Sequence, residues 1–180
     1  GGESSRPGAL SLSAEEECQR ILPVIEGIRR QSSIPISVDT VKSSVAAASL
    51  EHGANMVNDI SAGRTDPEMF SVAATYKVPM CLMHMRGSPA TMQQNVVYDD
   101  IVKEIHCFLG DALDRAEKAG MKRDQMIIDP GIGFGKSAED DIFLLQRLDA
   151  FLSLGVPLFV GTSRKKFMGK LFGLSVDERL

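Results

Sequence analysis

Five short apolar runs, at residues 34–40, 56–60, 78–85, 126–129 and 157–162, alternate along this chain with longer segments whose apolar residues recur at helical spacing. That alternation constrains the fold more than any other feature. Strands separated by helices of this length pair in parallel, and the helices cover the sheet. The helical segments carry their own start and stop signals. Ser13 and Glu16 have the spacing of a capping box, and Cys18, Ile21, Leu22, Ile25 and Ile28 follow as one stripe. Val41 to His52 is Ala-rich and is followed by Gly53 as a stop. Asp66 and Pro67 open a helix through Thr75. Asp99 to Ala119 places Ile101, Ile105, Phe108, Ala112 and Ala116 on one face. Ser137 caps a segment with Ile142, Leu145, Leu148 and Leu152 in a stripe, ending at Gly155, and Ser163 caps a last helix. An open doubly wound sheet and a (β/α)8 barrel both fit. A barrel needs about 250 residues, so with 180 residues and about five full strands this would be an incomplete one.

Each apolar run ends in a group that can hydrogen bond: Asp39, Asn58, His84, Asp129 and Ser163. Ligands of parallel α/β proteins bind at these C-terminal strand ends in either architecture. The most informative end is Met126-Ile127-Ile128-Asp129-Pro130-Gly131-Ile132-Gly133-Phe134-Gly135-Lys136. A carboxylate closing an apolar strand is costly unless paired, and glycines let backbone approach a ligand closely. The chemistry suggested is recognition of a polar, planar heterocycle. Asp129 can accept from an amino group and its neighbouring ring N–H. Asn58 offers donor and acceptor, and Asp39 a second acceptor. Met83 and Phe134 offer flat apolar contact, and Lys165 can meet a ring carbonyl or a phosphate.

Several residues have plainer roles open to them. Asp39 also suits a helix cap and Asn58 a turn. Asp59 is expected to face the helices. His84, alternating with Met83 and Met85, is expected to be a satisfied structural histidine. Glu15-Glu16-Glu17 and Glu139-Asp140-Asp141 read as acids favoured by helix N-termini. The glycine run lacks Walker A spacing, and no Rossmann fingerprint occurs.

Bulk composition narrows the function classes. With 20 Lys and Arg against 24 Asp and Glu the formal charge is −4, so no basic excess points to nucleic acid or an anionic membrane. No apolar run approaches a membrane span. Cys18, Cys81 and Cys107 form no CxxC motif and read as buried reduced thiols, which fits a cytoplasmic protein.

The segments GGESSRPG at the start, SVDT at 37–40, MVNDISAG at 56–63, CLMHMRGSP at 81–89, IIDPGIGFGK at 127–136 and GTSRKKF at 161–167, in this order, resemble the dihydropteroate synthase family of folate biosynthesis. The resemblance spans almost the whole chain and implies one truncated pterin-binding domain, residues 1–180, of a TIM barrel. It implies that Asp39, Asn58, Asp129 and Lys165 meet the pterin, and that Met83, Gly133 and Phe134 line its pocket. Ser5 and Arg6 would lie on a loop that closes over p-aminobenzoate and diphosphate. Asp39, Lys165 and Arg6 would then be catalytic.

The implied reaction joins 6-hydroxymethyl-7,8-dihydropterin diphosphate to p-aminobenzoate, giving 7,8-dihydropteroate and diphosphate. Mg2+ would accompany the diphosphate, and a homodimer would be in keeping with the family. The family's first strand and loop, with an Asn-x-Thr-Pro-Asp-Ser-Phe-type motif, have no counterpart here, so no metal residue is assigned. Nor has its last strand, with an Arg-x-His site. The chain therefore reads as a fragment, inactive by itself. Ser5 stands where Thr is commoner, and Lys166 where some members have Ser. Two other readings share the strand-end pterin site: a methyltetrahydrofolate methyltransferase domain and a non-catalytic pterin-binding homologue.

Overall fold

A computed structural model describes residues 2–6, 8–92 and 96–179. Gly1 and Pro7 of the first motif, residues 93–95 of the loop after the third strand, and Leu180 lie outside the described residues. Four strands, β1 (Ser37–Asp39), β2 (Met56–Asp59), β3 (Met80–Met83) and β4 (Met126–Asp129), form one parallel sheet in the order β1-β2-β3-β4. Helix α1 (Ala14–Arg29) precedes β1. Then α2 (Ser43–Glu51), α3 (Glu68–Tyr76) and α4 (Ile101–Lys118) make the crossovers, and α5 (Ala138–Gln146) and α6 (Lys166–Phe172) follow β4.

Strand pleating sorts the side chains onto two faces. Val38, Val57, Met80, Leu82, Met126 and Ile128 point into the main core, shared with Ile21, Ile25, Val45, Leu109, Leu113 and Phe151 of the helical layer. The other face carries Asp39, Asn58, Cys81, Met83, Ile127 and Asp129, placed by the register Asp39↔Asn58, Asn58↔Cys81, Cys81↔Ile127 and Met83↔Asp129. A second, small apolar cluster of Ile60, Met83, Met85 and Met92, with Val41 and Phe134 against it, sits at the C-terminal end of this face.

Local chemistry explains most boundaries. Ser13 and Glu16 make the capping box of α1, and Ser137 with Asp140 makes that of α5. β1 is shorter than its apolar run because Pro35 has no N–H and the Ile36 N–H donates to the Asn55 side chain instead of a ladder.

Three expectations are corrected. The fifth run pairs at only one bridge, Ile128↔Leu158, held by Ile128 N–H to Pro157 O (3.0 Å) and Phe159 N–H to Ile128 O (2.8 Å). Among the described residues the sheet thus has four full strands rather than five. The stripe expected through Leu152 breaks because α5 ends at Gln146 and a 3₁₀ segment, Leu148–Leu154, follows. The tighter winding buries Phe151 and Leu154 and leaves Leu152 62% exposed. Ser163 does not cap α6; Lys165 occupies that position with extended backbone. Of the cysteines, Cys81 is buried, Cys18 is half-buried and Cys107 is exposed, all of them free. Among the described residues no helix is long and apolar enough to cross a membrane.

Candidate active site

The C-terminal strand ends form a rim with two neighbouring clusters of polar groups. Asp39 and Asn58 are register partners at the ends of β1 and β2, which sets the two residues side by side on one face of the sheet. Asp39 is open to solvent, yet the protein around its base still raises its carboxyl above the usual range, and Glu17 adds repulsion. The Asn58 Oδ1 is buried with no hydrogen-bond partner among the described residues. An orphaned acceptor at this depth costs about 1–3 kcal/mol, so it is a position where a ligand donor would be welcome. Asp59, the next residue, faces the helices as the sequence predicts. It accepts from the N–H groups of Ser61 and Gly63, both at 2.7 Å.

The second cluster is built by the run after β4. Asp129 is 6% exposed, and burial pushes its carboxyl up to about 6, against the pull of the Gly131 N–H, Lys165 and Lys136. Its Oδ1 accepts the Gly131 N–H at 2.7 Å, which leaves lone pairs on both oxygens for a ligand. Gly131 has φ +72°, and a Cβ there would collide with the carbonyl oxygen of His84. Gly133, at φ +80°, lies against the aliphatic stem of Lys165, whose ammonium sits 4.1 Å from the centroid of the Phe134 ring. Lys165 is half-buried, and desolvation lowers its amine from the ordinary value while Asp129 and Asp141 oppose that shift.

The sequence suggests plainer roles for two residues here than the structure gives them. Asp141 reads there as only a helix N-terminal acid. It is buried, and its Oδ1 accepts the Gly133 N–H at 2.7 Å. Lys136 has no role in the sequence reading, yet it is 4% exposed and donates to Gly131 O (2.9 Å), Phe134 O (3.0 Å) and His84 Nδ1 (3.1 Å). Burial pushes its amine down to about 7, and Asp141 and Asp129 pull it back. His84, in turn, is held down to about 2 by burial and by Lys136, so it is a neutral structural histidine, as its alternation with the methionines implies. The only sequence hint for Lys136 is a lysine closing a glycine run. Asp141 gives no hint beyond its helix.

Ser5 and Arg6 share a cavity of about 540 Å³ with Gly133, Phe134, Ser163 and Lys165. Ser5 also lines a second cavity of about 410 Å³ with Asp39, Thr40, Lys42 and Arg64. The opening segment is tied there by Lys42, which donates to Glu3 (2.6 Å) and to the fully buried Glu17 (2.8 Å). The structure thus brings Met83, Asp129, Gly133, Phe134 and Lys165 together, sets Asp39 and Asn58 beside them on the same face, and places Ser5 and Arg6 at the mouth.

A family model described as "Pterin binding enzyme" matches residues 1–180. The chain belongs to the pterin-binding enzyme family. It is 47% identical over 171 residues to the dihydropteroate synthase of a Synechocystis strain, covering 95% of this chain and 59% of that protein. Among solved structures, the Yersinia pestis dihydropteroate synthase in complex with a sulfonamide drug superposes with a TM-score of 0.95 at 37% identity, covering 99% of this chain and 65% of that one. The Xanthomonas albilineans dihydropteroate synthase with 4-aminobenzoic acid gives 0.92 at 43% identity, covering 100% and 64%. The chain therefore spans roughly three-fifths to two-thirds of the length of these relatives. Its four-stranded sheet is an arc of the TIM barrel that the family builds.

Proposed function

We propose that this chain supplies the pterin side of a dihydropteroate synthase, a transferase of folate biosynthesis and a sulfonamide target. The observation that carries the reading is the pairing of a buried carboxylate with free lone pairs, Asp129, and an orphaned amide oxygen, Asn58, on one face of the strand ends. Their complement is a flat ring edge that displays adjacent N–H donors. In this reading Asp129 accepts from the pterin 2-amino group and the neighbouring ring N–H. Asn58 and Asp39 serve the other edge, Lys165 meets the ring carbonyl, and Met83, Gly133 and Phe134 form the wall. The likeness to synthase structures solved with a sulfonamide and with 4-aminobenzoic acid supports p-aminobenzoate as the second substrate.

The reaction is a substitution at the pterin methylene carbon. The C–O bond to diphosphate breaks, and its electron pair leaves with diphosphate. The aniline nitrogen forms the new C–N bond and then gives up a proton to solvent. Positive charge builds on the methylene as the bond breaks. Asp39, as a carboxylate, faces that charge and stabilises it. Arg6 and Lys165 offset the charge of the leaving diphosphate, and Ser5 offers it a hydroxyl. No nucleophilic side chain is required.

Mg2+ is the family's expected companion of the diphosphate. Among the described residues no three His, Cys, Asp or Glu side chains converge as a metal site, so no step is assigned to it. A cytoplasmic location and a homodimer belong to the same reading.

The test is a chimaera in which this chain replaces the matching 171-residue segment of the Synechocystis enzyme. It should convert pterin diphosphate and p-aminobenzoate to dihydropteroate, and Asp129→Asn should abolish that. A well-folded chimaera that binds pterin without turnover would favour a non-catalytic homologue. Methyl transfer from methyltetrahydrofolate would favour the methyltransferase reading.

A further inference from the structure

We propose that Lys136 is a positioning residue whose buried ammonium sets the shape of the 131–135 loop and locks it to the end of β3, so that Asp129, Gly133 and Phe134 present one preformed face to the ring. The inference rests on the pterin reading above, and goes beyond it by adding a residue that acts on the ring through the loop it holds.

The geometry is specific. An ammonium has three protons, and Lys136 has three acceptors within 3.1 Å: Gly131 O and Phe134 O from the loop itself, and His84 Nδ1 from the segment after β3. The first two acceptors fold the loop inward around one centre. The third fastens that centre to β3, where His84 N–H already donates to Asp129 O at 2.9 Å. His84 is itself fixed edge-on against Phe108 of α4, ring centroids 4.9 Å apart. Phe134 N–H closes on Gly131 O at 3.0 Å, the carbonyl that Lys136 also holds. Further loop bonds come from Asp129, whose Oδ1 accepts the Gly131 N–H, from Asp141, whose Oδ1 accepts the Gly133 N–H, and from Tyr98, whose hydroxyl donates to Gly135 O. Three glycines at positive φ, 131, 133 and 135, give this loop little intrinsic preference for one conformation. The central cation chooses it.

A lysine that only filled space would be replaceable by methionine, which has nearly the same length and no proton to give. The test therefore compares Lys136→Met, His84→Leu and His84→Asn in the 180-residue chain. Asparagine can keep an acceptor near the Nδ1 position; leucine cannot. Amide hydrogen exchange and titration with 7,8-dihydropterin are read on each.

Lys136→Met and His84→Leu should speed exchange at least tenfold at Phe134 and neighbouring loop amides, with α1 and α2 unchanged, and weaken pterin binding at least tenfold. His84→Asn should recover most of both. If loop exchange in both Lys136→Met and His84→Leu matches the parent chain, or rises equally everywhere, the positioning role is overturned. Should Lys136→Met fail to fold, the His84 pair decides by the same criteria. Asp129→Asn separates the two claims. If it binds pterin as the parent does, the pterin reading is wrong; if it loses pterin while Lys136→Met keeps it, only the Lys136 role is wrong.

Discussion

Asp129→Asn should move stability and pterin affinity in opposite directions, and the sizes follow from the site. Burial lifts the Asp129 carboxyl from 3.8 to about 6. A tenfold change in a protonation equilibrium is worth about 1.4 kcal/mol, so holding this carboxyl ionised in the fold costs about 3 kcal/mol at neutral pH. The folded value lies above the unfolded one, so this group favours folding most below about pH 4, and the benefit is lost as pH rises through about 6. Asparagine keeps an oxygen for the Gly131 N–H and carries no charge. The variant should therefore be more stable than the parent at pH 7 by up to about 3 kcal/mol, with the gap closing towards pH 4.

Binding runs the other way. Only the carboxylate can accept two N–H bonds from one ring edge, and hydrogen bonds to charged groups contribute about 1.5–3 kcal/mol each. Losing one such bond and placing an amide N–H against a ligand donor should weaken pterin by roughly a hundredfold or more. In the parent, affinity should fall as the carboxyl protonates, about tenfold weaker at pH 5 than at pH 7, and decline again above about pH 7, where Lys136 gives up the proton with which it holds the loop. Denaturant melts at pH 4 and 7, and fluorescence titrations with dihydropterin across that range, check both arms. A variant that binds like the parent, or parental affinity that improves on acidification, would refute the reasoning.

Other consequences are simpler to state. Gly131→Ala needs a φ of +72° and pushes its Cβ into the His84 carbonyl, so it should cost more than about 3 kcal/mol; a thermal midpoint within a few degrees of the parent would contradict this. Lys42→Met leaves the buried Glu17 without its ion pair, and urea melts at pH 7 should show a loss of about 3–5 kcal/mol. The isolated 180-residue chain should show no steady-state dihydropteroate synthesis, because a two-substrate site needs more than the rim described here; turnover by it alone would overturn that expectation.

How much of this was legible in the sequence divides along the range of the forces involved. Ser13 with Glu16, and Ser137 ahead of α5, are local bonds and read directly. The strand ends Asn58 and Asp129 read because a carboxylate or amide closing an apolar run has few other uses. The length of the fifth strand was not legible: 157–162 is as apolar as the others, but ladder length depends on a partner, and here only Leu158 bridges. The turn from α5 into a 3₁₀ segment at Arg147 was hidden for a similar reason. Leu148 and Leu152 fit helical spacing, and tertiary packing of Phe151 and Leu154 decided otherwise. In the site, Asp141 looks like Asp140 in sequence. Only the fold shows that Asp140 caps its helix while Asp141 reaches across to the Gly133 N–H. Lys136 is the clearest case, since its three acceptors come from two segments about fifty residues apart.

Pterin docking on the strand-end rim through Asp129 and Asn58 is the core of the proposed function. Its most direct test is an NMR titration of the 180-residue chain with 7,8-dihydropterin, following the ¹³C carboxyl resonance of Asp129 and the side-chain amide of Asn58. Saturable shifts are expected at both with one dissociation constant, together with the Phe134 ring, and no shift at His106 and Arg147 in the groove between α4 and α5. Saturable binding that moves the groove and leaves Asp129 and Asn58 unchanged would contradict it.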